Sequence, residues 1–203
     1  MADIAAEQVK RLRDATGAGM MDCKRALIEA DGDHGRAVEL LREKGLASAA
    51  RRAGRAANQG VIDSYIHFNN TVGVLVEVNC ETDFVANTAD FRQLAKDVAL
   101  HIASPAAPQW LTIDVVPTSV LDAERQIFEA QARESGKPDA VIPKIVEGKL
   151  HAFYKDHCLL EQPFVKDDSK TIQQLLDEVG AKVGEKVAVR RFMRYKLGEG
   201  EAE

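Results

Sequence analysis

Apolar positions near the start of the chain recur three and four residues apart, the spacing of a helix with one buried side. Val9 and Leu12 line such a side in a first helix that begins near Glu7 and includes Arg13. Thr16-Gly17-Ala18-Gly19 interrupts it, because two glycines in four residues allow backbone angles that a continuing helix does not use. In residues 20–30, Cys23, Ala26, Leu27 and Ala30 are spaced to face inward on a second helix. Asp31-Gly32-Asp33 reads as a turn, with Asp33 placed to cap a third helix whose buried side is expected from Val38, Leu41 and Leu40. Gly45 stands where a C-terminal stop belongs. Residues 1–45 therefore predict a compact three-helix unit, and the Ala- and Arg-rich residues 46–59 a helical connector, with a possible break at Gly54.

At Gly60 the period changes from helical to alternating. Residues 60–68 and 71–79 are rich in β-branched side chains and flank Asn69-Asn70, which suits a tight turn, so a β-hairpin is expected. Val72, Val74, Val76 and Val78 share one of its faces. After a tip at residues 80–86, Phe91, Leu94, Ala95, Val98 and Ile102 mark a helix over about 88–103. Two further helices, the first capped by Ser119 and ended by Gly136, the second capped by Asp139 with Pro143 in its first turn, predict a helical hairpin over about 119–157. Residues 162–165 read as a short extended piece, and Thr171 with Gln174 has the spacing of a capping box ahead of Ile172, Leu175, Leu176 and Val179. Residues 186–197 form a third strand, one face of which is expected to carry Arg190, Phe192, Arg194 and Lys196. The expected class is α+β: a three-helix unit at 1–45, a connector at 46–59, and a core at 60–198 with a small antiparallel three-stranded sheet. A disordered tail is expected at 199–203.

The chain has 203 residues, of which 45% are hydrophobic and 29% charged, enough to bury a substantial core. A formal net charge of −5 disfavours nonspecific attraction to nucleic acid. Residues 1–57 hold 11 Lys and Arg against 9 Asp and Glu, a net of +2 that leaves −7 for the rest. A mildly basic head on an acidic body suits a protein partner better than a phosphate backbone. Arg51, Arg52 and Arg55 form the one candidate patch for nucleic acid, but without aromatic neighbours they read as a solvated face. No apolar run is long enough for a membrane span, and residues 1–9, which carry Asp3 and Glu7, lack the pattern of a secretory leader; the expected compartment is the cytoplasm.

Catalytic signatures are missing. There is no GxGxxG, P-loop or GxSxG pattern, no HExxH, and the three cysteines, Cys23, Cys80 and Cys158, are scattered and form no CxxC pair. Neither a cofactor nor a metal is expected, and the chain reads as a binding protein, not an enzyme. Two stretches look odd for packing alone. In Thr16-Gly-Ala-Gly-Met-Met-Asp-Cys-Lys24, two methionines open a helix, and both cannot easily face a small core; either they fill gaps there or one of them, beside Lys24, belongs to a contact patch. In Asn79-Cys-Glu-Thr-Asp-Phe-Val-Ala86, Phe84 follows Asp83 in a segment that should lie at the surface. It either folds back as a core plug or projects as an anchor, worth roughly 1.5–3 kcal/mol in a partner's pocket.

Four stretches together resemble the elongation factor Ts family: Thr16-Gly-Ala-Gly-Met-Met-Asp-Cys-Lys-Arg-Ala-Leu27, Gly60-Val-Ile62, Glu77-Val-Asn-Cys-Glu-Thr-Asp-Phe-Val-Ala86, and the terminal Val-Arg-Arg-Phe-Met-Arg-Tyr195. The resemblance runs in order from about residue 9 to 198. It implies a ubiquitin-associated-like three-helix domain followed by an α+β core, and an activity as guanine-nucleotide exchange factor for the GTPase elongation factor Tu in translation elongation. By matching position, Arg13, Met20, Met21 and Lys24 would meet the partner's GTPase domain. Thr82, Asp83, Phe84 and Val85 would disturb its magnesium site, with Phe84 as the wedge. No direct contact of the chain with nucleotide, nucleic acid or membrane is expected. Longer family members carry two core subdomains; here the sheet-containing segment occurs once, which resembles the short form and implies a homodimer.

Overall fold

The computed structural model describes residues 4–16 and 18–200, with the side chain of Leu46 left aside. Gly17 of the first motif and the last three residues of the expected tail lie outside the described residues. Helices α1 (Ala6–Thr16), α2 (Met20–Glu29) and α3 (His34–Ala53) pack together around Val9, Leu12, Cys23, Ala26, Leu27, Ala30, Ala37 and Leu40. Ala37 and Leu40 form the buried side of α3, while Val38 and Leu41 flank it half-buried. Asp33 caps α3 as the sequence indicates, its carboxylate accepting the Arg36 N–H at 2.7 Å. The helix does not stop at Gly45. It continues to Ala53 and is capped by Gly54, so the third helix and the first part of the connector are one element, which ends at the break expected at Gly54. An interior glycine costs a helix only about 1 kcal/mol relative to alanine, and the Ala- and Arg-rich stretch that follows favours continuation.

Strands β1 (Gln59–Ile66) and β2 (Val72–Cys80) form the expected hairpin. The one-turn helix α4 (Asp83–Ala86) and α5 (Ala89–Ala103) follow. Next come α6 (Thr118–Glu134) and α7 (Ile142–His157), which pack against each other around Ala132, Ile142, Val146 and Leu150. The caps differ from expectation: Pro117, not Ser119, precedes α6, and Asp139 opens a short 3-10 turn ahead of α7, whose first turn holds Pro143. Strands β3 (Pro163–Phe164) and β4 (Asp167–Thr171) pair antiparallel in a second small sheet. The polar Asp167-Asp168-Ser169-Lys170 gives no strand signal in the sequence. Helix α8 (Ile172–Val183) and strand β5 (Ala188–Lys196) complete the order.

The main sheet is antiparallel with strand order β1-β2-β5. The His67 N–H donates to Val72 O and the Leu197 N–H to Thr71 O. Counted from these bonds, Leu75 lies between Ser64 and Met193, and Gly73 between Ile66 and Tyr195. Val74, Val76 and Val78 are buried, while Leu75 on the other face is exposed. In β5 the alternation slips. Val187 and Val189 are buried, Arg190 and Arg191 are both exposed, and beyond them Phe192 and Arg194 are half-buried. The expected single face of Arg190, Phe192, Arg194 and Lys196 is therefore broken, since the parity of the more buried positions changes between Val189 and Phe192.

The chain forms two compact units. One comprises residues up to Ile62, Glu77–Ala95 and Gln174–Arg190; the other comprises Asp63–Val76, Lys96–Gln173 and residues from Arg191 on. Among the described residues no helix is long and apolar enough to cross a membrane.

Candidate functional site

All eight residues that the family resemblance singles out fall in the first of these units. On α2, Met20 and Met21 are 57% and 64% exposed, so neither fills the bundle core. The inward positions of the helix are already taken by Cys23, Ala26 and Leu27, and the methionines stand on the remaining arc with Lys24. Ile28, seven residues after Met21 and four after Lys24, is exposed on the same arc. It was not singled out from the sequence, although helical spacing from Lys24 would have found it. Arg13 is exposed at the end of α1.

At the end of β2 the chain turns at Glu81 and Thr82 into α4. The Thr82 hydroxyl caps that turn, accepting from the Val85 N–H at 3.4 Å. A single helical turn cannot bury all its side chains: Val85 and Ala86 point inward, and Asp83 and Phe84 are exposed. Phe84 is 82% exposed, so of the two readings open to a loop phenylalanine the structure takes the projecting one. Below it, Cys80 is buried and its Sγ lies 3.1 Å from Thr82 O.

The tip is held by two carboxylates. Glu185 accepts from the N–H groups of Glu81 and Thr82, both at 3.0 Å, and from the Thr82 hydroxyl at 2.6 Å. In return, Glu81 accepts from the Lys186 N–H at 2.6 Å and from Arg55 at 3.2 Å, and these donors hold its carboxyl below the usual range. The Lys186 ammonium donates to the carbonyls of Ala53 and Arg55 at the end of α3, where a cation suits the helix dipole. Sequence reasoning missed this arrangement, since Glu81 and Glu185 are more than a hundred residues apart and neither stands in a catalytic motif.

The arginine patch does not form. Arg52 is buried and donates to Ser48, and Arg55 is paired with Glu81, which leaves Arg51 alone of the three as an exposed, uncommitted cation. All three cysteines are buried, and burial raises their thiol pKa values, that of Cys158 to about 11. None is a ready thiolate nucleophile. Among the described residues, no group of three or more His, Cys, Asp and Glu side chains is placed to hold a metal ion.

Residues 34–199 match the family model described as elongation factor TS. The chain belongs to the elongation factor Ts family. It is 56% identical over 200 residues to an elongation factor Ts of Desulforamulus reducens, covering 98% of this chain and 92% of the relative. It is 54% identical to those of a Thermoanaerobacter species, over 97% of this chain and 96% of the relative, and of Geobacter metallireducens, over 98% and 92%. Elongation factor Ts proteins are translation elongation factors, and the exposed Phe84 and the exposed face of α2 both lie in stretches whose wording carries the family resemblance.

Proposed function

We propose that this chain is a guanine-nucleotide exchange factor that binds elongation factor Tu carrying GDP, disturbs its magnesium and phosphate site, and speeds GDP release so that GTP can enter. The single observation that carries the reading is the bare ring of Phe84 on a capped and anchored turn, inside one of the stretches that carry the family resemblance. An apolar ring so exposed is costly in isolation and useful in a partner's pocket. In this reading Arg13, Met20, Met21 and Lys24 of the three-helix unit dock on the GTPase domain. Thr82, Asp83, Phe84 and Val85 form the element that reaches the magnesium site, Val85 through its buried anchorage. The work is done in the cytoplasm, with no bond made or broken by the factor.

Exchange of this kind is a coupling between two ligands on one protein. Magnesium bridges phosphate oxygens, so displacing it removes the largest local compensation of phosphate charge. A factor that weakens GDP is itself weakened by GDP in the same ratio. The test is the release of fluorescent GDP from purified elongation factor Tu. The wild-type chain should accelerate it, and Phe84→Ala should retain helical circular dichroism yet accelerate it at least about tenfold less, the loss expected of an anchor aromatic. Wild-type acceleration by a folded Phe84→Ala chain sinks the assignment.

The same reading includes a homodimer, as the short form implies. Its support in the second unit is an apolar sheet face, where Ile66, Leu75, Met193 and Tyr195 are exposed on neighbouring strands. A second copy of the chain presenting the same face would cover it.

A further inference from the structure

Phe84 makes none of the bonds that fix its own turn, so the direction of the ring is decided elsewhere. Helix α8 ends at Val183, and Gly184 takes a left-handed conformation, φ +77°, with its N–H bonded to Gly180 O at 2.9 Å. The reversal is tight: a Cβ on Gly180 would lie 2.9 Å from Glu185 O. It delivers the Glu185 side chain to the end of β2, where one carboxylate takes three donors. The Thr82 hydroxyl has one proton and spends it on Glu185. Its lone pairs are then left to face the Val85 N–H that it caps.

We propose that Glu185 is a positioning residue for Phe84, clamping the backbone at Glu81 and Thr82 so that α4 presents the ring outward in one orientation. The inference rests on the exchange reading above and adds to it the part that gives the ring its rigidity. A side chain that must intrude on a well-packed site meets resistance, and a loosely held turn yields instead of the site. Charge-assisted bonds from one carboxylate to two backbone N–H groups and a hydroxyl are the stiffest restraint this turn has. The reciprocal bonds of Glu81 to the Lys186 N–H and to Arg55, and of Lys186 to the end of α3, tie the same point to the helix whose bundle carries Met20, Met21 and Lys24. The clamp therefore joins the two elements expected to touch the partner.

The experiment measures fluorescent GDP release from elongation factor Tu over a range of concentrations of the full chain. Glu185→Ala is expected to lower the maximal release rate about tenfold while leaving the half-saturating concentration within about twofold, because docking through α2 is intact. Glu185→Gln keeps an acceptor oxygen and should lose less, about threefold. A purely structural role would instead lower the fraction of active chain, raising the half-saturating concentration and sparing the maximal rate. In the Phe84→Ala background, Glu185→Ala should add no further loss, since both act through one ring. An unchanged maximal rate in a folded Glu185→Ala or Glu185→Gln chain overturns the inference, as does full additivity with Phe84→Ala. If Glu185→Ala loses its helical circular dichroism, the cycle is run with Glu185→Gln and decides in the same way. Wild-type behaviour of Phe84→Ala itself is a different result: it removes the exchange role of the ring, and the positioning role with it.

Discussion

His101 donates from Nε2 to Oε1 of Gln162 at 2.9 Å, with both side chains buried. The other ring nitrogen accepts the Val165 N–H at 3.2 Å, and the Gln162 amide donates to the carbonyls of Ala106 and Asp156. Every polar atom of the pair is satisfied only while the ring is neutral, since a proton on Nδ1 would face the Val165 N–H. Burial accordingly pushes the imidazole pKa below its ordinary 6.5. The folded state thus binds fewer protons than the unfolded one, and stability is full above the unfolded value and lost as pH falls through it towards the folded value. Urea midpoints should be flat above about pH 6.5 and decline below it. His101→Leu should cost about 2 kcal/mol at pH 7.5 by stranding Gln162 and Val165, and should flatten the decline between pH 5 and 7.

Gly60 illustrates a different kind of constraint. Its φ is +149°, and a Cβ there would fall 2.1 Å from Val78 O. A side chain is excluded both by the backbone conformation and by the neighbouring strand. Gly60→Ala should destabilise the first unit by about 3 kcal/mol, read as a lower urea midpoint with the slope unchanged.

The longer helices, the hairpin and the burial of Val74, Val76 and Val78 were legible because each follows from spacing along a short stretch, whereas the single turn α4 was read only as a tip. The end of α3 was misread because Gly45 looks like a stop, whereas its cost is small against the helix-favouring residues beyond it. The slip in β5 at Arg190 and Arg191 leaves no mark in composition, since the residues on either side of it still alternate. Of the second sheet, β3 was legible as the extended piece at 162–165, whereas β4 was not, because its residues are polar and its pairing stands on backbone bonds. At the candidate site, Met20, Met21 and Phe84 stood out because large apolar side chains were in surplus where the pattern left no core for them, and Lys24 because it stands beside the two methionines. Glu185 did not, because a carboxylate before a strand looks like any surface charge until the fold brings it to Thr82.

Lys24 and Phe84 should fail in different ways. Among the described residues Lys24 has no ion-pair partner within the chain, whereas its neighbour Arg25 is paired with Asp22. In the proposed docking, an exposed, unpaired ammonium beside two bare methionines would act on encounter and binding. Lys24→Ala should raise the half-saturating concentration for GDP release about three- to tenfold and leave the maximal rate unchanged. An unaltered midpoint removes Lys24 from the interface.

Leu75 offers the sharpest test of the homodimer. It lies in the middle strand of the sheet, 53% exposed, with Met193 beside it on β5 and the exposed Ile66 and Tyr195 one row away. In a symmetric pair of such faces, residues near the axis meet their own copies, so Leu75→Glu sets two carboxylates against each other in an apolar contact. Within the isolated protomer the same change sits on a face open to solvent and should alter stability by no more than about 1 kcal/mol. Sedimentation equilibrium at micromolar concentration should therefore give a dimer for the wild-type chain and a folded monomer for Leu75→Glu. If the wild-type chain is already a monomer, alone and with elongation factor Tu bound, no second copy covers this face. If both chains are dimers, the copies meet through another surface.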